Sequence, residues 1–545
     1  MSRKGRVEDL RERFSRVHGI GRPSELTLLA AAIAVALVAP LGWLFLEVFD
    51  LGPRALELTL DSRTIEILLR SVALVAIVTA GSVLVGVPIA LLTARTDLPF
   101  ARLFTVLAAL PLAVPSYLGA LAVLSAFGTG GVLTGVLAPV GIEQLPEISG
   151  FAGAALVLTL YTYPYVLLTT RASLLSLDTS LIEAARTLDA GRLEAFRRVT
   201  LPQIAPGIAA GALLVALYTL ADFGTPNFMG VEVFTQAIYA RYNTTMRPWA
   251  ALLSLQLLAV TVGILYLESK VGADDEGAYQ SRGASGGAVI ELGTWRYVAA
   301  LFPAVIAGLA IALPVIVFGL WLSSDAGGYT AGGLAFSWTY GWNSVYLALF
   351  AAGASLLVAL PVAVAAARGR SRLAGLADRL SYVGYATPGI VLAFALVLFA
   401  LNTLPLSYRE TAYDLLLILV FAYVVRFVPQ AIGAIRTATM QVDGRLIEAA
   451  RTLGRTRTEA FRAVTLPLIA PGIATGAALV FLTTMKELPA TLLLRPFWFD
   501  HTLVTYIWRV REAGLYGRAA VPALVLIVIS ALSMAVILSQ EGSNT

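Results

Sequence analysis

An all-α membrane protein is predicted, with twelve transmembrane helices arranged as two homologous six-helix units related by a pseudo-twofold axis. Three observations predict it. The 545 residues are 58% hydrophobic and only 13% charged, with a mean hydropathy of +0.80, whereas a soluble domain has roughly 45–50% apolar and about 25% charged residues. Twelve apolar runs reach the length a bilayer core requires, roughly 20 residues per helix. Finally, a polar segment occurs twice, at residues 181–208 and 446–473. From Glu183 and Glu448 onward, 20 of 26 positions are identical at a constant offset of 265. Membrane spans resemble one another because lipid permits few residue types. A charged loop copied nearly verbatim needs another reason, and two copies fitting one kind of partner surface is the simplest.

In the first half the spans are expected at about 26–49, 64–94, 101–127, 151–176, 205–228 and 248–268. In the second they are expected at about 296–322, 340–367, 374–401, 412–437, 470–494 and 517–538. The basic tail up to Arg22 and the long apolar run from Leu26 to Phe49 read as a cytoplasmic tail and first span, since a cleavable leader has a shorter apolar region. Arginine then follows the alternation this topology demands. It crowds the tail (Arg3, Arg6, Arg11, Arg13, Arg16), the turns at Arg95–Arg102 and Arg368–Arg372, and both repeated segments. The loops Gly128–Gly150 and Ser323–Ser337 hold neither lysine nor arginine. Positive loops stay in the cytoplasm, so both termini and both repeated segments are expected there.

The domain organisation follows. Residues 1–25 form a basic tail, 26–268 a first unit with its repeated loop at 177–204, and 269–294 a Gly/Ser-rich, acidic linker. Residues 295–538 form a second unit with its loop at 442–469, and 539–545 a short tail. Val87-Pro88-Ile89-Ala90 matches Leu360-Pro361-Val362-Ala363, Pro115 matches Pro388, Pro164 matches Pro429, and Arg171 matches Arg436. Prolines at matched places inside spans predict shared kinks.

Composition excludes several classes. There is no cysteine, hence no disulfide, thiolate zinc site or iron–sulfur cluster. The two histidines, His18 and His501, lie far apart in sequence. The net charge of +5 and pI near 9.3 fit cytoplasmic arginine better than nucleic-acid binding, because no basic stripe with interleaved aromatics is present.

Within the repeated segment, Leu181, Ile182, Ala185 and Leu188 recur at helical spacing. Ser180 and Glu183 form a capping box in the first copy, and Asp443 is the candidate cap in the second. Gly454 stands where the helix must stop, a natural left-handed cap. A second short helix carries Phe196 and Val199, or Phe461 and Val464, and is expected to end at Leu201-Pro202 or Leu466-Pro467. Ala205-Pro206-Gly207 and Ala470-Pro471-Gly472 would then open a span.

Glu448, Ala449, Ala450, Gly454, Val464, Leu466 and Pro467 resemble throughout the signature loop of ATP-binding-cassette importer permeases. Glu183, Ala184, Ala185, Val199, Leu201 and Pro202 match it as well, but Asp189 replaces the glycine. Aspartate tolerates a left-handed backbone better than most residues, and Gly191 nearby can share the bend. The resemblance implies type I, binding-protein-dependent import. It makes these loops the coupling helices that dock on ATPase subunits, with Glu183, Ala184, Ala185, Asp189, Gly191, Glu448, Ala449, Ala450 and Gly454 as coupling residues. No phosphate-binding G-x-x-x-x-G-K-[ST] occurs, and the only lysines are Lys4, Lys270 and Lys486. The chain is therefore expected to be no enzyme itself. ATP and Mg would be bound by two partner ATPase subunits, and cargo would come from an external substrate-binding protein.

The 265-residue offset also pairs Asp222 with Glu487. Both lie about 16 residues, or ~24 Å, past the proline expected to open the fifth span. Intramembrane acids are costly and face a cavity or a partner. One reading has the two converging at the outer gate, with Lys486 beside them, to pass a hard cation, which prefers oxygen ligands, with no stable metal site. The other makes them helix-end acids, Glu487 being neutralised by Lys486 or Arg495. The stretch Met485-Lys486-Glu487-Leu488-Pro489-Ala490-Thr491 through Pro496, and Asp222-Phe223-Gly224, resemble the ferric-iron importer permeases, which are also two fused units. Permeases for thiamine, phosphonate or polyamines are the alternatives. A gradient-driven secondary transporter of twelve spans is the distant one. The short loops at Arg95–Arg102 and Arg368–Arg372 lack that class's Gly-x-x-x-Asp-Arg signal.

Overall fold

The structure is a computed structural model and describes residues 25–127, 131–142, 144–177, 187, 191–242, 244–273, 290–323, 334–367, 372–403 and 416–542. Among the described residues each of the twelve apolar runs is helical. Nine of them, counted among the described residues, give helices long and apolar enough to cross a membrane: Glu25–Phe49, Ser62–Arg95, Gly150–Leu175, Phe196–Ala221, Arg247–Leu267, Gly293–Ser323, Trp338–Ala367, Leu416–Met440 and Thr458–Met485. The twelfth is a shorter apolar helix, Tyr516–Leu532.

The remaining two runs, expected as single spans at 101–127 and 374–401, are broken. Ala101–Leu112 and Ser116–Ala126 meet at 92°, and Arg372–Ala386 and Gly389–Thr403 at 104°. The matched prolines are the cause. Pro115 itself is extended (φ −60°, ψ 132°) and Thr387, before Pro388, is too (φ −77°, ψ 129°). A proline supplies no N–H to the ladder and pushes its predecessor out of the helical region. Pro164 and Pro429, by contrast, stay inside unbroken helices.

A second departure concerns the fifth spans. Leu201-Pro202 and Leu466-Pro467 do not end a helix, and no new one starts at the Ala-Pro-Gly. The helix runs through both, because a π turn at Phe196–Thr200 and Phe461–Thr465 precedes each proline. In it Leu201 N–H bonds Phe196 O, and Leu466 N–H bonds Phe461 O. The wider turn makes room for the proline ring. At the other end these helices stop early, at Ala221 and Met485, rather than continuing to 228 and 494.

The chain forms two compact units that cross its sequence halves. One comprises Met1–Leu46 and Trp342–Asp500. In it Glu25–Val38 buries Thr27, Ala30, Ala34 and Leu37 and packs on Arg372–Ser381, which offers Ala374 and Ala377. The fourth and fifth spans of the second half meet at a G-x-x-x-G face. A Cβ on Gly472 would lie 2.5 Å from that of Ala438, and one on Gly476 3.0 Å from Ala431 Cα. The other unit comprises Glu47–Gly341 and His501–Thr545. There Gly207 and Gly211 repeat the device, the added Cβ atoms falling 2.1 Å from Ser173 Oγ and 2.4 Å from Thr169 Oγ1. Without a hydrophobic drive between helices in lipid, such close small-residue contacts hold spans together.

Candidate functional site

The second repeated segment forms an exposed elbow. Asp443 caps it as its residue type demands, the carboxylate accepting Arg445 N–H at 2.9 Å. Helix Gly444–Thr452 follows with no fully buried residue. Glu448 and Ala449 are exposed and Ala450 is half-buried. Gly454 has φ +84°, the expected left-handed stop, with Leu453 beside it 86% exposed. Thr456 and Glu459 then cap each other reciprocally, Thr456 N–H reaching Glu459 Oε2 at 2.9 Å and Glu459 N–H reaching Thr456 Oγ1 at 3.3 Å. Upstream, Arg436 Nη1 grips Asp378 Oδ2 at 2.8 Å, tying the fourth span to helix Arg372–Ser381. In the first copy Gly191 is exposed and its carbonyl accepts Ala195 N–H at 2.9 Å, opening helix Arg192–Ala195. Glu183, Ala184, Ala185 and Asp189, and the Ser180–Glu183 box, lie outside the described residues.

Asp222 and Glu487 occupy equivalent places, at the breaks that end the two fifth spans. Each caps the short helix beyond. Asp222 Oδ1 accepts Thr225 N–H at 2.8 Å at the start of Gly224–Phe228. Glu487 accepts Ala490 N–H at 3.0 Å and Thr491 N–H at 3.1 Å at the start of Pro489–Leu494. Their other partners differ. Ser116, next to the Pro115 break, donates its hydroxyl to Asp222 Oδ2 at 2.5 Å. In the second half Gly389, next to the Pro388 break, replaces that serine, and Arg426 lies over it. A Cβ on Gly389 would fall 1.6 Å from Arg426 Nη1. The guanidinium so admitted comes within 3.7 Å of Glu487 Oε1, the two side chains being 22% and 2% exposed.

Arg426, on the fourth span, is a cation facing Glu487 that sequence proximity does not single out. Lys486 is half-buried at the C-terminal end of its helix, the end that favours a positive charge. Arg495 bonds the carbonyls of Pro496 and Phe499. The two carboxylates also differ in spare capacity. A carboxylate has about four lone-pair directions. Glu487 spends three of them on Ala490 N–H, Thr491 N–H and the Thr491 hydroxyl, with Arg426 near as a charge rather than a hydrogen-bond donor, whereas the side-chain partners described for Asp222 are Ser116 and Thr225. Among the described residues no group of three or more His, Cys, Asp or Glu is placed to hold a metal ion.

Arg426, Gly389 and Ser116 escaped sequence reasoning. The signal for Arg426 was present: an arginine inside an apolar run needs a partner. So was the T-x-x-E box at Thr456. Ser116 and Gly389 carry no local signal, since their roles depend on residues remote in sequence.

Two related halves, each with a fifth span that ends at a carboxylate, and an exposed elbow described in the second, fit a two-unit membrane permease. Residues 82–268 and 359–540 both match the family described as binding-protein-dependent transport system inner membrane component, and the chain belongs to that family. It is thus a multi-pass inner-membrane permease of an ATP-binding-cassette importer. It is similar to a Fe(3+)-transport system permease protein of Haemophilus influenzae, 29% identical over 94% of this chain and 97% of that one. A ferric transport system permease protein of Actinobacillus pleuropneumoniae is 25% identical over 84% of this chain and 68% of its own. A molybdenum transport system permease protein of Mycobacterium tuberculosis is 35% identical, but over 36% of this chain and 75% of its own.

Proposed function

We propose that this chain is the membrane path of an importer that carries ferric iron into the cytoplasm. An external binding protein delivers the cargo, and two separate ATPase subunits, binding ATP and Mg, supply the work. The chain contributes no ATPase site. Both termini and both elbows face the cytoplasm, each elbow docking on one ATPase. Closing of the ATPase dimer moves the elbows together and opens the path outward, and hydrolysis resets it inward. The observation that carries iron is similarity to a Fe(3+) permease along 94% of the chain, set against a molybdenum permease that matches about a third. Thiamine, phosphonate and polyamine remain the other cargoes of this architecture. The test is uptake into proteoliposomes containing the chain, its ATPase subunits and loaded binding protein. ATP-dependent entry of radiolabelled iron is expected, and entry of molybdate or sulfate instead would overturn the assignment.

Two variants follow from the site. Glu448 is exposed, so Glu448→Arg should insert normally while coupled ATPase activity falls at least tenfold. Normal coupling in that variant counts against docking at this elbow. Asp222 is proposed to ease cation passage. Asp222→Asn keeps an oxygen for Thr225 N–H but removes the charge, and a unit charge passing at 4 Å loses about 1–4 kcal/mol between dielectrics of 80 and 20. Iron uptake should drop roughly tenfold at equal membrane levels. Wild-type uptake by Asp222→Asn would remove the carboxylate from the path.

A further inference from the structure

Beyond each fifth-span break the chain enters a second helix, Phe234–Tyr242 in the first half and Leu503–Glu512 in the second. Counted from their first residues, Phe234 and Leu503, the helices place Tyr239 and Trp508 each at the sixth position, the second copy carrying four extra residues between its carboxylate and this helix. Tyr239 and Trp508 then occupy equivalent positions, and they touch. Their ring centroids are 5.5 Å apart, edge to face at 75°. Both rest on Phe223, at 5.1 Å and 5.2 Å. Phe223 immediately follows Asp222, and it and Trp508 are buried. All three lie in one compact unit.

The same two helices grip the break from both sides. Thr235, on the first, donates its hydroxyl to Asp222 O at 2.8 Å. Arg511, on the second, donates to Asn227 O and Phe228 O, both at 2.9 Å. Those carbonyls end the short helix that Asp222 caps. Trp508 also meets Phe228 at 5.5 Å, and Phe228 meets Tyr117, the neighbour of Ser116, at 6.0 Å.

Side chains at equivalent positions of two symmetric copies meet only near the axis relating them. The route of a two-repeat transporter runs along that interface. We infer that Tyr239 and Trp508 form an aromatic gate across the cargo path, closed over Phe223, and that they are positioning residues for the Asp222 break. The closed pair keeps Asp222 capped against Ser116 and Thr225. Parting the rings frees the Phe223 face and lets the break reorient toward the opened path. This assignment rests on the ATP-driven alternating access proposed above.

The absence of native cysteine makes the test direct. In the assembled complex with ATPase subunits and binding protein, Tyr239→Cys with Trp508→Cys supplies the only thiols of this chain. A short, reducible bifunctional thiol reagent should stop ATP-driven uptake, and reductant should restore it. Either single variant under the same treatment should be unaffected. Tyr239→Ala with Trp508→Ala should hydrolyse ATP several-fold faster than wild type without binding protein, while Tyr239→Phe with Trp508→Phe restores dependence on it. A plain packing role would not produce that pattern. Uptake that survives the cross-link sinks the gate alone. A wild-type complex with no ATP-driven uptake sinks the importer reading and the gate with it.

Discussion

Arg426→Ala should be the most damaging single change in the spans. It leaves Glu487, with a side chain 2% exposed, facing an emptied site. Removing one partner of a buried ion pair costs roughly 3–5 kcal/mol. The low end applies here, because the arginine is itself 22% exposed and Glu487 keeps two backbone N–H donors. A loss of about 3 kcal/mol is expected, read as a lower denaturation midpoint of purified protein and less chain in the membrane. Arg426→Leu with Glu487→Leu should recover part of it, since no lone charge remains, though the cap on Pro489–Leu494 is still lost. Gly389→Ala should phenocopy Arg426→Ala, because its Cβ would occupy the space of Nη1. Wild-type stability in Gly389→Ala would show that the guanidinium has another place to lie.

What was legible in the sequence was local or compositional. Apolar run length located, among the described residues, nine helices long enough to cross a membrane, two bent pairs and one shorter apolar helix. The Asp443 cap and Gly454 stop were readable because a cap acts on N–H groups or a dihedral within a few residues. The breaks were harder. Pro115 and Pro388 announced kinks, but nothing nearby set bends of 92° and 104°, since the angle depends on what packs in the corner. Leu466-Pro467 read as a helix end because a proline ring clashes with an ordinary α turn. The π turn that relieves the clash leaves no mark in composition. For Glu487 one of the two sequence readings offers the cations nearest in the chain, Lys486 and Arg495. Arg426 also faces it, from the preceding span and over a glycine, and both facts belong to tertiary packing.

Gly454→Val should uncouple transport while leaving the spans intact. At φ +84° an L-residue pays about 1–2 kcal/mol over glycine, and a β-branched one is more strongly disfavoured. Burial cannot absorb that strain, because helix Gly444–Thr452 has no fully buried residue and isolated helices this short are marginal in water. The elbow would therefore re-aim or fray, moving Glu448 and Ala449 off their docking geometry. On the proposed mechanism, in which each elbow is gripped by one ATPase, one faulty copy should cut binding-protein-stimulated ATP hydrolysis by more than tenfold, with membrane levels unchanged. Gly454→Asn is the control that isolates the dihedral. Asparagine adopts left-handed backbone readily, and the first copy already carries Asp189 at this place, so most coupling should survive. Equal coupling in Gly454→Val and wild type would mean that the elbow's shape is not what the motor reads.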